Sequence, residues 1–406
     1  MRIFFILLML AFQPCKAQIV EHFDDGDFVN NPVWIGNEDN WRINELGQLQ
    51  SNNSTENNSF ALSTESLQSH GQWDFNVKLD FATSGSNYAD VYIIASEVNP
   101  LSNLNNGYFV RVGNTDDEIS LYRRDGASLF KIIDGFNGSV GSSSCDVNIR
   151  VIRDSSNRFV LLVDLNKVGN YNLEGFAVDS TYSSSNYFCI VVKQSTASFF
   201  KKHYFDDIIV QDFVPDNSSP FIESINVVSP RTLKLIFNKP LDKNSTENIS
   251  NYLLENFSVN PQNAKLDSLN SSAIILNFID SFPDRIFLNL KVEHIKDLWE
   301  NEMRIATVSF SFVQPRQYDI LINEIMADPS PPVGLPEIEW IEIVNNSGFD
   351  INLENWKLCL NNSESGKFPA YNLKADSLLI ICSSINSQIM EGYGNTIGIN
   401  TFQALP

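Results

Sequence analysis

The chain has 406 residues, of which 43% are hydrophobic, and it carries a formal net charge of −21 at pH 7. This length exceeds one ordinary domain and the apolar content can fill real cores, which argues against wholesale disorder. A strongly negative protein repels phosphate backbones, so the charge argues against general nucleic-acid binding.

The first seventeen residues have the pattern of a secretory signal peptide. Arg2 precedes an apolar run over 3–12 that is too short to span a bilayer, and cleavage is expected between Ala17 and Gln18. A lipoprotein signal that uses Cys15 is the alternative, although the residues before it are Phe-Gln-Pro rather than small ones. No later apolar run is long enough for a transmembrane helix. The mature protein is therefore expected to be secreted or held at the cell surface.

Four cysteines follow the signal peptide, Cys145 and Cys189 in the first large segment and Cys359 and Cys382 in the last. An oxidising compartment permits disulfides, and the even count in each segment favours the pairs Cys145–Cys189 and Cys359–Cys382. Four buried thiols are the alternative, because a free cysteine packs as a small hydrophobic side chain. Neither pair has the CxxC spacing of a zinc site.

Short runs with a period of two, separated by clusters of Asn, Ser, Gly and Asp, fill most of the chain. Examples are "FNVKLDFA" (75–82), "ADVYIIAS" (89–96) and "GYFVRVG" (107–113). Strands at this spacing indicate β-sandwiches rather than βαβ units. Breaks rich in proline and polar residues at 213–220 and 313–317 divide the mature chain into segments 18–213, 219–313 and 318–406.

The first segment opens with "DDGDF", "NPVW", "WRIN" and "GQLQ" and closes with "YFDDIIVQDF". These pieces resemble the concanavalin A-like lectin/glucanase domains of secreted proteins of the Bacteroidetes type. The resemblance implies a jelly-roll of two antiparallel sheets whose first and last strands pair. The related glucanases carry a Glu-x-Asp-x-x-Glu pattern that places two carboxylates on one face of a strand. This segment lacks that pattern, which argues against a hydrolase or lyase.

A carbohydrate-binding role is still compatible with this segment. Alternation puts Asp90 and Tyr92 on one face of their strand, and the neighbouring strands would present Arg111 and Tyr122 beside them. Sugar sites combine aromatic faces with a few fixed polar groups. In the alternative interpretation, the two tyrosines merely cover the sheet and Arg111 is the partner of an acid.

Asp25 and Asp207 are candidate ligands of a structural calcium ion. The pairing of the terminal strands would bring the two acids together, and relatives of the resembled family often hold calcium with the aspartate of the last strand. The alternative is a tight Asp-Gly turn followed by an ordinary strand. If calcium binds, we expect chelation to lower the melting temperature of the first domain. No other cofactor is expected.

The second segment contains "LKLIFNKPLD", an Asn-Tyr pair and "HIKDLWEN". It resembles the Ig-like (SbsA-like) domains of bacterial surface-layer proteins, and the resemblance implies an Ig-like sandwich that acts as a spacer. His294 and Asp297 invite a catalytic interpretation, but one histidine beside one aspartate on a turn is more often structural.

The third segment contains "INEIMADP", "EWIEIVN", "INLENWKL" and "DSLLIIC". It resembles the lamin-tail domains of secreted bacterial proteins and nuclear lamins, which implies another Ig-like sandwich. Because these relatives are longer than the segment, we expect the domain to be incomplete here. Taken together, the three segments predict an all-β protein: a jelly-roll β-sandwich followed by two Ig-like β-sandwich domains.

Five acidic residues between positions 324 and 342 raise the question of a metal or catalytic centre. In "EIEWIEIVN" the two strand faces mix acids with apolar groups: Ile338, Trp340 and Glu342 on one, and Glu337, Glu339, Ile341 and Ile343 on the other. This mixture favours a structural or binding role over three acids that converge on a point.

The sequence therefore predicts an exported, non-enzymatic, modular binding protein. The first domain would bind a glycan or another cell-surface component, the second would be a spacer, and the third would contact a surface or partner. In the alternative, the chain is the accessory N-terminal region of a larger secreted enzyme. No P-loop, Rossmann fingerprint, nucleophile elbow or H-E-x-x-H motif is present in the sequence.

Overall fold

The structure, a computed structural model, describes residues 18–268, 270–360 and 363–405. The predicted signal peptide and Cys15 lie outside these ranges. The described chain consists almost wholly of strands joined by turns, which confirms the all-β prediction. Within it, no helix is long and apolar enough to cross a membrane.

The first module, 18–213, is a sandwich of two antiparallel sheets. Its strands are β1 Ile19–Glu21, β2 Ile35–Gly36, β3 Trp41–Ile43, β4 Leu49–Ser51, β5 Asn58–Glu65, β6 Gly71–Leu79, β7 Tyr88–Ala95, β8 Asn106–Gly113, β9 Glu118–Asp125, β10 Ser128–Ile133, β11 Cys145–Arg153, β12 Arg158–Asp164, β13 Asn172–Val178, β14 Tyr187–Gln194 and β15 His203–Gln211. Short 3-10 helices span Glu38–Asn40 and Ala197–Phe199.

The eight-stranded sheet has the order β13-β12-β11-β6-β15-β4-β3, with β1 also paired to β15. The seven-stranded sheet has the order β10-β9-β8-β7-β14-β5-β2. Ile19 lies opposite Val210 and Glu21 opposite Ile208, so the first and last strands pair as predicted.

One apolar core fills the space between these two sheets. Alternate residues of each long strand contribute to it, such as Trp73 and Phe75 of β6 and Val110 and Val112 of β8. This period of two is the pattern expected of a sheet with one face against a core. It also leaves the other face of the seven-stranded sheet free to carry a separate set of side chains.

The second module is a seven-stranded sandwich with its own core. Its elements are β16 Ile222–Ser229, β17 Thr232–Phe237, α1 Lys243–Thr246, a 3-10 helix Ile249–Asn251, β18 Tyr252–Leu254, β19 Asn263–Asp267, β20 Asn270–Asn277, β21 Phe287–Val292 and β22 Ala306–Ser311. One sheet has the order β16-β17-β20-β19 and the other β18-β21-β22. Asp242 caps α1 by accepting a hydrogen bond from the Ser245 amide at 2.8 Å.

The third module is built around the sheet β23-β24-β29-β30, in which β29 and β30 run parallel. Its elements are β23 Ile320–Met326, β24 Trp340–Asn345, β25 Ile351–Asn352, β26 Cys359–Leu360, β27 Ser363–Glu364, β28 Asn372–Leu373, β29 Leu378–Ser383, a 3-10 helix Ser384–Asn386, α2 Ser387–Met390 and β30 Thr396–Ile399. Both faces of β24 are apolar: Ile341 and Ile343 belong to the main core, and Trp340 packs with Cys382 and Met390 on the other face.

Candidate ligand-binding face of the first module

The register of three central strands of the seven-stranded sheet brings the four predicted binding residues together. Asp90 of β7 lies opposite Arg111 of β8, and Tyr92 of β7 and Tyr122 of β9 both lie opposite Phe109. The residues between them in sequence point into the inter-sheet core, so these five side chains share the outer face. The expectation that these four residues share one face of the sheet is therefore confirmed.

Asp90 and Arg111 form a bidentate ion pair on this face. Arg111 donates from Nε to Asp90 Oδ1 at 2.7 Å and from Nη2 to Asp90 Oδ2 at 2.8 Å. Burial alone would lower the pKa of Arg111, but the charge of Asp90 and the hydrogen bonds between them raise it. The guanidinium also lies over the ring of Tyr88, 4.1 Å from its centroid, and 5.3 Å from that of Tyr122. Arg111 is therefore held in one orientation by a carboxylate and two aromatic rings.

The aromatic side chains form a stacked row across three strands. The Tyr92 and Phe109 centroids are 4.7 Å apart, and the Phe109 and Tyr122 rings stack at 5.2 Å with an interplanar angle of 10°. The row is covered rather than open, because Tyr92, Phe109 and Tyr122 are only 1%, 0% and 8% exposed. The Tyr92 hydroxyl accepts a hydrogen bond from Arg124 Nη1, and Arg124 also donates to the carbonyl of Ser102 in the loop above.

This arrangement corrects the role expected of Tyr92. In this structure Tyr92 and Tyr122 are both buried, with 1% and 8% exposed, and cover the sheet, and Arg111 is the partner of Asp90. This arrangement is the alternative interpretation of the sequence, so it also corrects the role expected of Tyr122. The part of the face that keeps some contact with solvent lies beside the aromatic row, where Tyr88, Arg111 and Lys193 are each partly buried and 12% of the Arg111 side chain is exposed. Tyr88 of β7 is directly opposite Lys193 of β14, so these side chains form one continuous surface.

Sequence reasoning missed Phe109, Tyr88 and Arg124. The signal for all three was present, because each has the same parity as a predicted residue of its own strand: Arg111, Asp90 and Tyr122 respectively. It also missed the ion pair at the edge of the face, in which Lys131 Nζ lies 2.5 Å from the buried Glu118 Oε1. Finding that pair required the pairing register of β9 and β10.

The two calcium candidates have other partners. Asp207 Oδ1 lies 2.8 Å from His22 Nδ1, and Asp25 Oδ1 accepts a hydrogen bond from the Asp27 amide at 3.2 Å. Within the ranges that the structure describes, no group of three or more His, Cys, Asp or Glu side chains could hold a metal ion. The geometry gives no support to this calcium site, which stays a prediction.

The predicted disulfides are not present, since all four cysteines are free thiols in the structure. Cys145 belongs to the core between the two sheets, whereas Cys189 lies in the cluster on the outer face of the seven-stranded sheet. A sheet therefore separates their side chains. In the third module Cys382 is buried beside Trp340, and Cys359 is exposed.

Two of the five acids in the acidic stretch of the third module accept hydrogen bonds from different partners. Glu342 Oε1 accepts from Asn323 at 2.7 Å, and Glu339 Oε2 accepts from the Leu405 amide at 3.2 Å. In the second module, Asp297 accepts hydrogen bonds from the backbone of its own turn, at Trp299 and Asn301. These carboxylates have the contacts of structural groups.

A comparison with curated proteins gave no match. Among solved structures, the carbohydrate binding module CBM66 from Bacillus subtilis is 12% identical with a TM-score of 0.32, covering 44% of this chain and 95% of that chain. The Emp47p carbohydrate recognition domain is 12% identical with a TM-score of 0.37, covering 48% and 95%. The VIP36 exoplasmic/lumenal domain in its Ca²⁺/Man-bound form is 9% identical with a TM-score of 0.35, covering 46% and 84%. Residues 314–403 match the family model of the Lamin Tail Domain, which confirms the family predicted for the third module.

Proposed function

We propose that this chain is an exported, modular, non-enzymatic binding protein whose first module binds a glycan. The ligand would lie on the accessible layer of the outer face, over Tyr88, Arg111 and Lys193. The second module would separate this face from the third, which would contact a surface or a partner. Export is the expectation drawn from the N-terminal sequence.

The orientation of Arg111 is the observation that carries the proposal. Asp90 accepts from Nε and from one N–H of Nη2, so the two N–H groups of Nη1 and the second N–H of Nη2 lie outside the pair and can serve a ligand hydroxyl. A donor that is already fixed loses little side-chain entropy when a ligand binds. The adjoining Tyr88 ring supplies the aromatic component that sugar sites combine with such polar groups.

A glycan array probed with residues 18–406 tests the proposal. We expect binding to at least one glycan class, and a loss of about tenfold or more in Tyr88→Ala and Lys193→Ser. Tyr204→Ala is the matched control: Tyr204 lies on the outer face of the eight-stranded sheet and also has a cation over its ring, with Lys78 Nζ 5.3 Å from its centroid.

Binding that survives both outer-face variants, or is lost equally in Tyr204→Ala, would place the ligand elsewhere. The absence of binding to every glycan would refute the proposed function. Release of reducing ends from a bound glycan would show catalysis and contradict the non-enzymatic part of the proposal.

A further inference from the structure

The first and second modules pack against each other through a small apolar cluster. Ile152, Val160 and Leu162 lie on the outer face of the eight-stranded sheet and contact Leu298 of the second module. Phe213, at the start of the connecting segment, packs on Trp299 with the ring centroids 4.6 Å apart. The segment predicted to be a linker therefore lies at a packed junction.

Hydrogen bonds join the modules at two further places. Arg158 Nη1 donates to the Leu298 carbonyl at 2.8 Å. The Ser271 amide donates to Asn172 Oδ1 at 3.0 Å, and the Leu173 amide donates to Ser271 Oγ at 3.3 Å. Because the junction is fixed by contacts that involve no ligand, a cavity within it is preformed.

A cleft of about 330 Å³ lies at this junction. Its walls come from the outer face of the eight-stranded sheet, the connecting segment and the second module, and they carry three aromatic side chains: Tyr171, Phe213 and Trp299. This volume lies at the lower end of the range for small-molecule sites, which form preferentially where domains meet. It suits one or two sugar rings rather than a long chain.

The polar groups of the cleft are oriented by the protein itself. Arg150 Nε donates to Asp74 Oδ1 at 2.5 Å, and Gln72 Nε2 donates to Asp74 Oδ2 at 2.6 Å. Arg150 also lies over the ring of Tyr171, 4.4 Å from its centroid. These contacts engage only Nε of the guanidinium and only the amide nitrogen of Gln72, so Arg150 Nη1 and Nη2 can donate to a ligand and Gln72 Oε1 can accept.

The opposite wall of the cleft also carries a cation that is paired with carboxylates. Lys239 Nζ lies 2.5 Å from Asp216 Oδ2 and 3.4 Å from Asp297 Oδ2. Because each cation in the cleft already has a carboxylate partner, a strongly charged ligand would have to compete with these ion pairs. A neutral ligand with several hydroxyl groups would not.

We propose that this interdomain cleft is a second ligand site that takes a single sugar ring or a small neutral oligosaccharide. It does not share residues with the outer face of the seven-stranded sheet, which lies on the opposite side of the first module. Arg150, Gln72 and the Tyr171 hydroxyl bind the ligand hydroxyls, and the aromatic side chains contact its apolar ring face. Two sites on opposite faces would allow one molecule to bind two parts of a glycan surface, which raises avidity without a new contact.

Saturation-transfer difference NMR of residues 18–406 tests this site. The probes are glucose, galactose, mannose, fructose, xylose, arabinose and the β-linked disaccharides of glucose and galactose. Arg150→Lys keeps a positive charge beside Asp74 but removes the planar guanidinium and its additional N–H donors. Tyr171→Phe removes only a hydroxyl. We expect at least one probe to bind the unaltered chain, and each variant to weaken that binding about fivefold to tenfold with an unchanged melting temperature.

Tyr88→Ala separates this proposal from the proposed function, because it changes only the outer face. A probe signal that persists in Tyr88→Ala and falls in Arg150→Lys and Tyr171→Phe supports the cleft. A signal that is lost in Tyr88→Ala but kept in both cleft variants overturns the cleft while supporting the outer face. The absence of a signal from every probe also overturns the cleft.

Discussion

Arg111 and Asp90 are cross-strand partners on the outer face of the seven-stranded sheet, joined by two hydrogen bonds of 2.7 and 2.8 Å. Both side chains are largely removed from water, with 12% of Arg111 and 6% of Asp90 exposed. A buried pair of this kind contributes little net stability compared with apolar residues, but the loss of one partner leaves the other charge uncompensated. The pair therefore holds the Arg111 guanidinium in place, and breaking the pair is expected to destabilise the module strongly.

We predict that Asp90→Ala lowers the free energy of unfolding of the first module by about 3 to 5 kcal/mol, because the Arg111 guanidinium is left buried without a counter-charge. Urea denaturation at pH 7 measures the change. The control is Asp80→Ala, which removes a carboxylate that is 35% exposed, lies 3.6 Å from Lys78 Nζ and accepts a hydrogen bond from the exposed Ser144 Oγ at 2.8 Å, and which should cost only about 1 kcal/mol. Equal small losses in both variants would show that the Asp90–Arg111 pair is not buried as described.

The sequence predicted this face well because strand alternation is a local property. Asp90, Tyr92, Arg111 and Tyr122 were identified from parity within their own strands, and antiparallel pairing then brought them together. Exposure could not be predicted in the same way. Tyr92 is covered through Arg124, which also holds the loop above, and a contact of this kind depends on tertiary structure.

The all-β class also followed from local pattern, whereas the lamin-tail assignment followed from the resemblance of short sequence motifs to that family. The disulfide prediction failed because cysteine counts do not show which face of a sheet a side chain occupies. Cys145 and Cys189 lie on strands of different sheets, and only the second points away from the inter-sheet core. The packed junction of the first two modules was missed for a similar reason: a Pro- and Asn-rich segment has the composition of a linker whether or not its ends are packed.

The burial of His203 leads to a prediction of how the stability of the first module depends on pH. The side chain is fully buried against Phe81, with the ring centroids 4.7 Å apart, and burial lowers its pKa from 6.5 to about 3. Between these two values the unfolded chain binds a proton that the folded chain does not. Stability from this residue is therefore complete above pH 6.5 and is lost as the pH falls towards 3.

We expect the contribution of His203 to fall by about 2 kcal/mol between pH 6.5 and pH 5, since each pH unit is worth about 1.4 kcal/mol. Urea denaturation at both pH values should show this loss in the unaltered chain and not in His203→Leu. His294→Gln is the control: His294 is exposed and lies in the second module, so this variant should show the same loss as the unaltered chain. Identical pH dependence in His203→Leu and the unaltered chain would contradict the conclusion that burial lowers the pKa of His203.

The thiols should differ in reactivity. Cys359 is exposed, whereas Cys145, Cys189 and Cys382 are buried, and burial raises the pKa of Cys145 to about 11 and of Cys189 to about 12. Because the thiolate is the reactive form, we expect one thiol of residues 18–406 to react with DTNB at pH 8 without denaturant, and four to react in urea. Cys359→Ser should abolish the native reaction. Two fewer thiols in urea without reductant would instead support a disulfide.

The junction between the first two modules should couple their unfolding. Leu298 is 7% exposed and packs on the sheet residues Ile152, Val160 and Leu162. Removing its side chain leaves a cavity at the interface, so we expect Leu298→Ala to cost about 2 to 3 kcal/mol of unfolding free energy. Differential scanning calorimetry of residues 18–406 should show the two modules melting together in the unaltered chain and in separate transitions in the variant.

The control is Leu67→Ala, which truncates a leucine that is 71% exposed on the first module. It should leave the calorimetric profile unchanged because no packed contact is lost. Separate transitions already present in the unaltered chain would mean that the junction does not couple the modules.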